Sequence, residues 1–220
     1  MIKAVVLDFD GTTADTMPTL EKIAVKLLRI NYKLNKKTSQ TMYRSTTGLP
    51  FIQQIKLLFP NNPKNEFVVS QFEKEKIENV FNLPLFHDTN TTIDLLREKG
   101  FIVVISSSTI QPTIEKYCQM KKLQVDQILG YREGFEKGKD HFNFILKKFN
   151  LKPDELLYVG DSLKDCERAQ ESQILFIAKI GLFSLKEFNE ISKSKLAITN
   201  LIELVDLITK INSEKFEVKL

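Results

Sequence analysis

Four short apolar runs constrain the fold of this chain more than any other feature. Residues 4–7, 101–105, 156–159 and 174–178 are each four or five long and apolar throughout. Runs of that length read as strands, and without polar alternation both of their faces are buried. Residues 125–129 and 196–198 are weaker strand candidates. Between the runs lie helix-length stretches, among them 112–120, 140–149 and 163–172. Buried strands alternating with helices predict an α/β fold, a doubly wound parallel sheet with helices on both sides. Ligands of such sheets bind outside the carboxyl ends of the strands.

The chemistry-bearing residues gather at that edge. The first run ends in Asp8-Phe9-Asp10-Gly11-Thr12. Strand alternation points Asp8 and Asp10 the same way, and Gly11 permits the backbone angles of an immediate turn. Two like charges so placed are costly unless a cation or a shared proton relieves them. The second run leads into Ser106-Ser107-Ser108-Thr109, and the third into Gly160-Asp161-Ser162, with Asp165 one helical turn on. Each could be a loop residue or a helix cap alone; their agreement at one edge points to a site.

Residues 16–85 interrupt this pattern. They read as helices only, and carry nine Lys and two Arg against five Glu and no Asp, a net of +6. A solvated helical surface explains most of these lysines, and an electropositive lid for an anionic substrate is the functional alternative. The expected organisation is one core, 1–15 with 86–220, and an inserted helical segment, 16–85. Within it Thr38 or Ser39 is the expected cap of a second helix, and 64–81 a longer helix. Near the end, Asn200 is expected to cap a helix to Ile211, with 212–220 a loose tail.

The overall charge of +4 does not by itself imply nucleic acid. Two distant cysteines, Cys118 and Cys166, suggest a reducing compartment without a disulfide framework. No charged-then-apolar leader and no membrane-length apolar run is visible, so a cytoplasmic location is expected. No Gly-x-Gly-x-x-Gly follows the first strand, which disfavours a nucleotide-dependent redox enzyme.

Four stretches together resemble the haloacid dehalogenase-like hydrolase superfamily: Asp8 to Thr12, Ser106, Gly138-Lys139, and Gly160 to Asp165. The likeness is to its phosphatases with a helical cap, such as phosphoglycolate phosphatases and beta-phosphoglucomutases. The resemblance implies a Rossmann-like core and a cap at 16–85. It implies Asp8 as the nucleophile that forms an aspartyl-phosphate, and Asp10 as the acid and base. Ser106 and the backbone N–H of Ser107 would bind the phosphoryl group, and Lys139 would neutralise its charge. Mg²⁺ would be held by Asp8, Asp161 and the carbonyl of Asp10, with Asp165 a ligand or an outer partner. Lys137 is the alternative to Lys139, which is favoured because a glycine precedes it. In the cap, Thr47, Gly48 and Arg44 are candidate substrate contacts. His87 and His141 are expected to be ordinary surface or packing residues.

The expected function is phosphate release from a small phosphorylated metabolite by a monomer or homodimer acting on neither nucleic acid nor membrane. The aspartate two residues after Asp8 disfavours the dehalogenase and phosphonate-cleaving branches. A phosphomutase, or a phosphate-binding module without turnover, are the alternatives.

Overall fold

The computed structural model describes residues 1–192 and 196–217. Among them six parallel strands form one sheet: β1 (Ala4–Asp8), β2 (Ile102–Ile110), β3 (Gln127–Tyr131), β4 (Leu156–Gly160), β5 (Leu175–Lys179) and β6 (Ala197–Ile198). Their order is β3-β2-β1-β4-β5-β6. Both neighbours of β1 are parallel to it, with Asp8 opposite Ser106 and Leu7 opposite Val159. The chain builds outward from β1 to β3, then crosses back to β4 and builds the other way. The carboxyl ends of β1 and β4 therefore flank the point where strand order reverses, which is where such sheets bind ligands.

Complete burial of β1 and β4 explains their unbroken apolar sequence. The strands are covered by α5 (Thr89–Glu98), α6 (Gln111–Met120), α7 (Lys139–Lys148), α8 (Leu163–Glu171), α9 (Leu185–Ile191) and α10 (Glu203–Glu217). The architecture is the expected Rossmann-like, doubly wound α/β fold. Tyr158 and Phe142, at 5.0 Å between rings, belong to the core on one face.

The chain separates into two compact units, Met1–Ala14 with Leu85–Leu220, and Asp15–Pro84. The division falls one residue before the expected boundary at each crossing. The second unit holds α1 (Met17–Tyr32), α2 (Lys36–Ser45), α3 (Phe51–Leu58) and α4 (Asn65–Val80). It has its own core of Leu20, Ile23, Leu28, Tyr43, Ile55 and Val68, with Phe51 stacked on Phe72 at 3.7 Å. Among the described residues no helix is long and apolar enough to cross a membrane.

Three local expectations are corrected. The cap of α2 is Asn35, whose side chain accepts from the Thr38 N–H at 2.9 Å, and Thr38 and Ser39 lie inside the helix. Lys36 and Lys37 interrupt the apolar period without interrupting the helix, because the capped backbone decides the start. The strand after Phe101 does not stop at Ile105 but runs to Ile110. Between the pairs Ser106–Leu129 and Ile110–Tyr131, β2 has two more residues than β3 and bulges. Finally, α10 continues to Glu217, through most of the expected loose tail. Asn212 bonds both polar groups of Ile2, accepting from its N–H at 2.6 Å and donating to its carbonyl at 3.3 Å. That anchor holds a stretch whose polarity suggests fraying, and residues 218–220 lie outside the described part.

Candidate active site

The site begins with the turn after β1. The Phe9 carbonyl accepts from the N–H groups of Thr12, Thr13 and Ala14 at 3.0–3.3 Å, and the Gly11 N–H returns to the Ala14 carbonyl at 2.9 Å. The turn needs Gly11 at φ +84°, where a side chain is strained. Phe9 points away into the core against Tyr117. Thr13 is fully buried but satisfied, its hydroxyl donating to the carbonyls of Asp8 and Phe9. Asp8 is left at the strand end with Thr12 Oγ1 donating to its Oδ2 at 3.3 Å. Asp10 is half-buried and accepts from Thr109 Oγ1 at 3.0 Å.

The second carboxylate group comes from β4 and α8. Ser162 caps α8 reciprocally: its hydroxyl accepts from the Asp165 N–H, and the Asp165 carboxylate accepts from Ser162. Asp165 packs so tightly on the end of β4 that a Cβ at Gly160 would lie 2.7 Å from its Cβ and Oδ2. Its Oδ1 accepts from Tyr158 Oη at 2.6 Å and pairs with Lys137 Nζ at 2.7 Å. Both carboxylate oxygens of Asp165 are thus engaged.

Lys137, not Lys139, is the lysine that contacts Asp8. Lys137 Nζ is 2.5 Å from Asp8 Oδ1, and the ammonium bridges Asp8 and Asp165 in full burial. Gly138 at φ +108° reverses the chain between the two lysines. Lys137 is therefore turned inward, while Lys139 opens α7 and is exposed. The preceding glycine, taken as the mark of Lys139, acts by turning Lys137 in.

The serines of β2 divide as well. Ser106 is fully buried, and its Oγ lies 2.8 Å from His141 Nδ1. It is committed to His141, in the first turn of α7. Ser107, in the bulge, accepts from the Thr109 N–H at 3.0 Å, which leaves its hydroxyl proton available to a ligand.

Burial pushes the Asp8 carboxyl up to about 6 even though Lys137 pulls it down, with Asp165 and Asp10 adding repulsion. Burial and the nearby Asp8 hold Asp161 well above the usual carboxylate range. Burial opposes the charge on Asp165, but Lys137, Arg168 and the Ser162 hydroxyl outweigh it and hold this carboxyl low. Lys137 stays above its ordinary value because Asp165 and Asp8 outweigh its burial. Burial takes His141 down to about 3, with Lys137 and Arg168 adding to the effect, so its imidazole is neutral.

A family model for haloacid dehalogenase-like hydrolases matches residues 5–179. The chain belongs to that family. No curated protein matches it by sequence. Among solved structures it is similar to a Bacteroides fragilis protein assigned to the haloacid dehalogenase-like hydrolases, at TM-score 0.79 and 22% identity over 93% of this chain and 100% of that one. A predicted phosphatase from Clostridium acetobutylicum gives TM-score 0.78 and 18% identity, with 96% and 99% covered. CbbY from Rhodobacter sphaeroides, in complex with xylulose-(1,5)bisphosphate, gives 0.73 and 16%, with 93% and 96% covered.

As a haloacid dehalogenase-like hydrolase, the chain presents a donor set that suits a hard divalent cation. Asp8, Asp161 and Asp165 each offer an oxygen within 4.8 Å of the others, all buried. Burial and the neighbouring Asp8 both oppose the charge on Asp161, which is the crowding a cation relieves. Sequence reasoning did not single out Tyr158, Arg168 or His141 for the site. Tyr158 reads as one more residue of an apolar strand, and Arg168 falls in a stretch read only as helical; it is buried, 3.7 Å from Asp165. In the helical unit Arg44 is paired with Glu21 at 2.6 Å. Thr47 is buried with its hydroxyl on the Tyr43 carbonyl, and Gly48 follows in the turn at φ +98°.

Proposed function

We propose that this chain is a Mg²⁺-dependent phosphatase that hydrolyses a small phosphate ester through an aspartyl-phosphate on Asp8. The observation that carries the reading is the buried Asp8 carboxylate at the end of β1, in contact with Lys137 and facing Asp161, with Asp10 two residues on. Asp8 attacks phosphorus while the bond to the leaving oxygen breaks, and Asp10 gives that oxygen a proton. Asp10 then takes a proton from the water that attacks the aspartyl-phosphate. The phosphorus–Asp8 bond breaks, releasing phosphate and restoring Asp8.

Asp8, Asp161 and the Asp10 carbonyl are the residues that would hold Mg²⁺, with Asp165 behind them as the anchor of Lys137. Bound there, the ion offsets the repulsion between carboxylate and phosphate, on the order of 4 kcal/mol per unit charge pair at about 4 Å and an effective dielectric near 20. Lys137 neutralises charge on Asp8 and the transferring group, and Ser107 donates its hydroxyl to that group. The basic helical unit acts as a cap that attracts anionic esters and selects among them.

The test is a panel of phosphorylated metabolites assayed for free phosphate with Mg²⁺, with Asp8→Asn as control. The expected result is phosphate release from at least one ester and none from the variant. Full activity in Asp8→Asn overturns the nucleophile. Isomerised sugar phosphate without free phosphate overturns hydrolysis in favour of a mutase, and ester binding without turnover overturns catalysis.

A further inference from the structure

A buried lysine outside this machinery touches both crossings between the two units of the chain. Lys179 is the last residue of β5, at the same sheet edge as Asp8 and Asp161, and is 5% exposed. Its Nζ donates to the Gly11 carbonyl at 3.3 Å and lies 3.7 Å from the centre of the Phe86 ring. Gly11 belongs to the outgoing crossing and Phe86 to the returning one. The crossings are also bonded to each other. The Phe86 N–H and the Thr89 hydroxyl both donate to the Thr13 carbonyl, at 3.1 and 2.8 Å, and Ala14 bridges Leu85.

We propose that Lys179 is a positioning residue that pins the turn after Asp10 and clamps it to the returning crossing. Burying an ammonium is costly unless donors and charge are matched, and here a carbonyl and an aromatic face supply the match. The Gly11 carbonyl lies in the turn after Asp10 and the Phe86 ring on the returning chain, so one ammonium ties the two together. Asp10 is then fixed from two sides: its carboxylate by Thr109, and its main chain through the Gly11 carbonyl one peptide on. A proton-transfer residue has to sit within hydrogen-bond reach of the oxygen it serves, so slack in this turn reduces turnover before it weakens binding.

Lys179→Met keeps the length and the apolar stem while removing the charge and the donor. Amide hydrogen exchange of the protein without substrate reads the clamp directly, and needs no reaction to be known. The expected result is exchange about tenfold faster at Gly11, Ala14 and Phe86, with β1 and β4 unchanged. Unchanged exchange at those three amides overturns the proposal, as does an equal rise throughout β1 and β4, which would make Lys179 a general core residue. If Lys179→Met does not fold, Phe86→Leu removes the ring alone. It should speed exchange at the same amides by about threefold, and no change there overturns the clamp. The kinetic arm rests on the proposed role of Asp10: with an ester that is turned over, kcat should fall about tenfold at unchanged KM. Lost protection with unchanged kcat overturns the positioning role and leaves the phosphatase reading intact.

Discussion

His141 should make the folded protein sensitive to mild acid, by an amount that follows from its burial. In the unfolded chain an imidazole takes up a proton below about pH 6.5. In the folded protein burial delays that uptake to about pH 3, with Lys137 and Arg168 opposing it further and Asp140 and the Gly130 backbone favouring it. Between those limits the unfolded state binds more protons, so stability rises with pH and is lost on acidification. The slope is about 1.4 kcal/mol per pH unit, and the loss reaches about 2 kcal/mol by about pH 5.

Asparagine at 141 can still hydrogen-bond Ser106 but does not titrate. Urea denaturation of the parent protein and of His141→Asn, in chelator and at several values between about pH 7 and pH 5, isolates the effect as a difference. Asp8 titrates in the same window with the opposite sign, since its raised carboxyl binds a proton more readily when folded. That contribution is common to both proteins and cancels in the difference to the extent that the sites are independent. The parent should lose about 2 kcal/mol more than the variant over the range. A pH-independent difference would refute a neutral, buried His141 behind Ser106.

Other consequences of the site can be checked more briefly. Lys137→Ala leaves Asp8 buried without its cation and takes from Asp165 the nearer of its two. It should cost about 3–5 kcal/mol in urea denaturation and lower phosphate release at least about a hundredfold, whereas exposed Lys139→Ala should shift stability by under about 0.5 kcal/mol and leave turnover unchanged. Gly160→Ala drives a methyl into Asp165 at 2.7 Å. It should destabilise by about 1–3 kcal/mol by overpacking and reduce turnover in the folded fraction, measured by denaturation and phosphate release. Asp161→Asn removes a carboxyl whose ionised form burial and Asp8 oppose, so in chelator it should melt no lower than the parent. It should also lose the rise in melting temperature that Mg²⁺ gives the parent, worth about 2.7 kcal/mol at about a hundredfold excess over Kd.

The sheet was legible because burial on both faces leaves no freedom in composition: β1, β4 and β5 read as strands on their own residues. The placement of Asp8, Asp10 and Asp161 was legible because strand ends are fixed by where apolar runs stop and the sheet brings those ends to one edge; Asp165 follows one helical turn later. The helical unit was legible from its spacing, but its second helix was placed late. Periodicity registers the apolar face, and Lys36 and Lys37 hide the turn that Asn35 caps. The strand β2 was cut short for a related reason: Ser106 to Thr109 are polar, yet they stay extended because the bulge lets the chain carry them past the sheet.

What was not legible depends on which way a side chain turns after a strand ends. Lys137 and Lys139 are equivalent by composition, two residues apart on either side of a glycine. In a strand both would face the same way, and proximity to Gly138 would be no guide. At φ +108° Gly138 breaks that equivalence, and the room beside it is filled by Arg168, whose Cδ would sit 2.9 Å from any Cβ there. The lysine register is therefore fixed by α8, some thirty residues further along. The same helix supplies Asp165, which Lys137 bridges to Asp8. The choice between the lysines is thus made by the partner that needs the cation, so no reading confined to residues 137–140 can recover it.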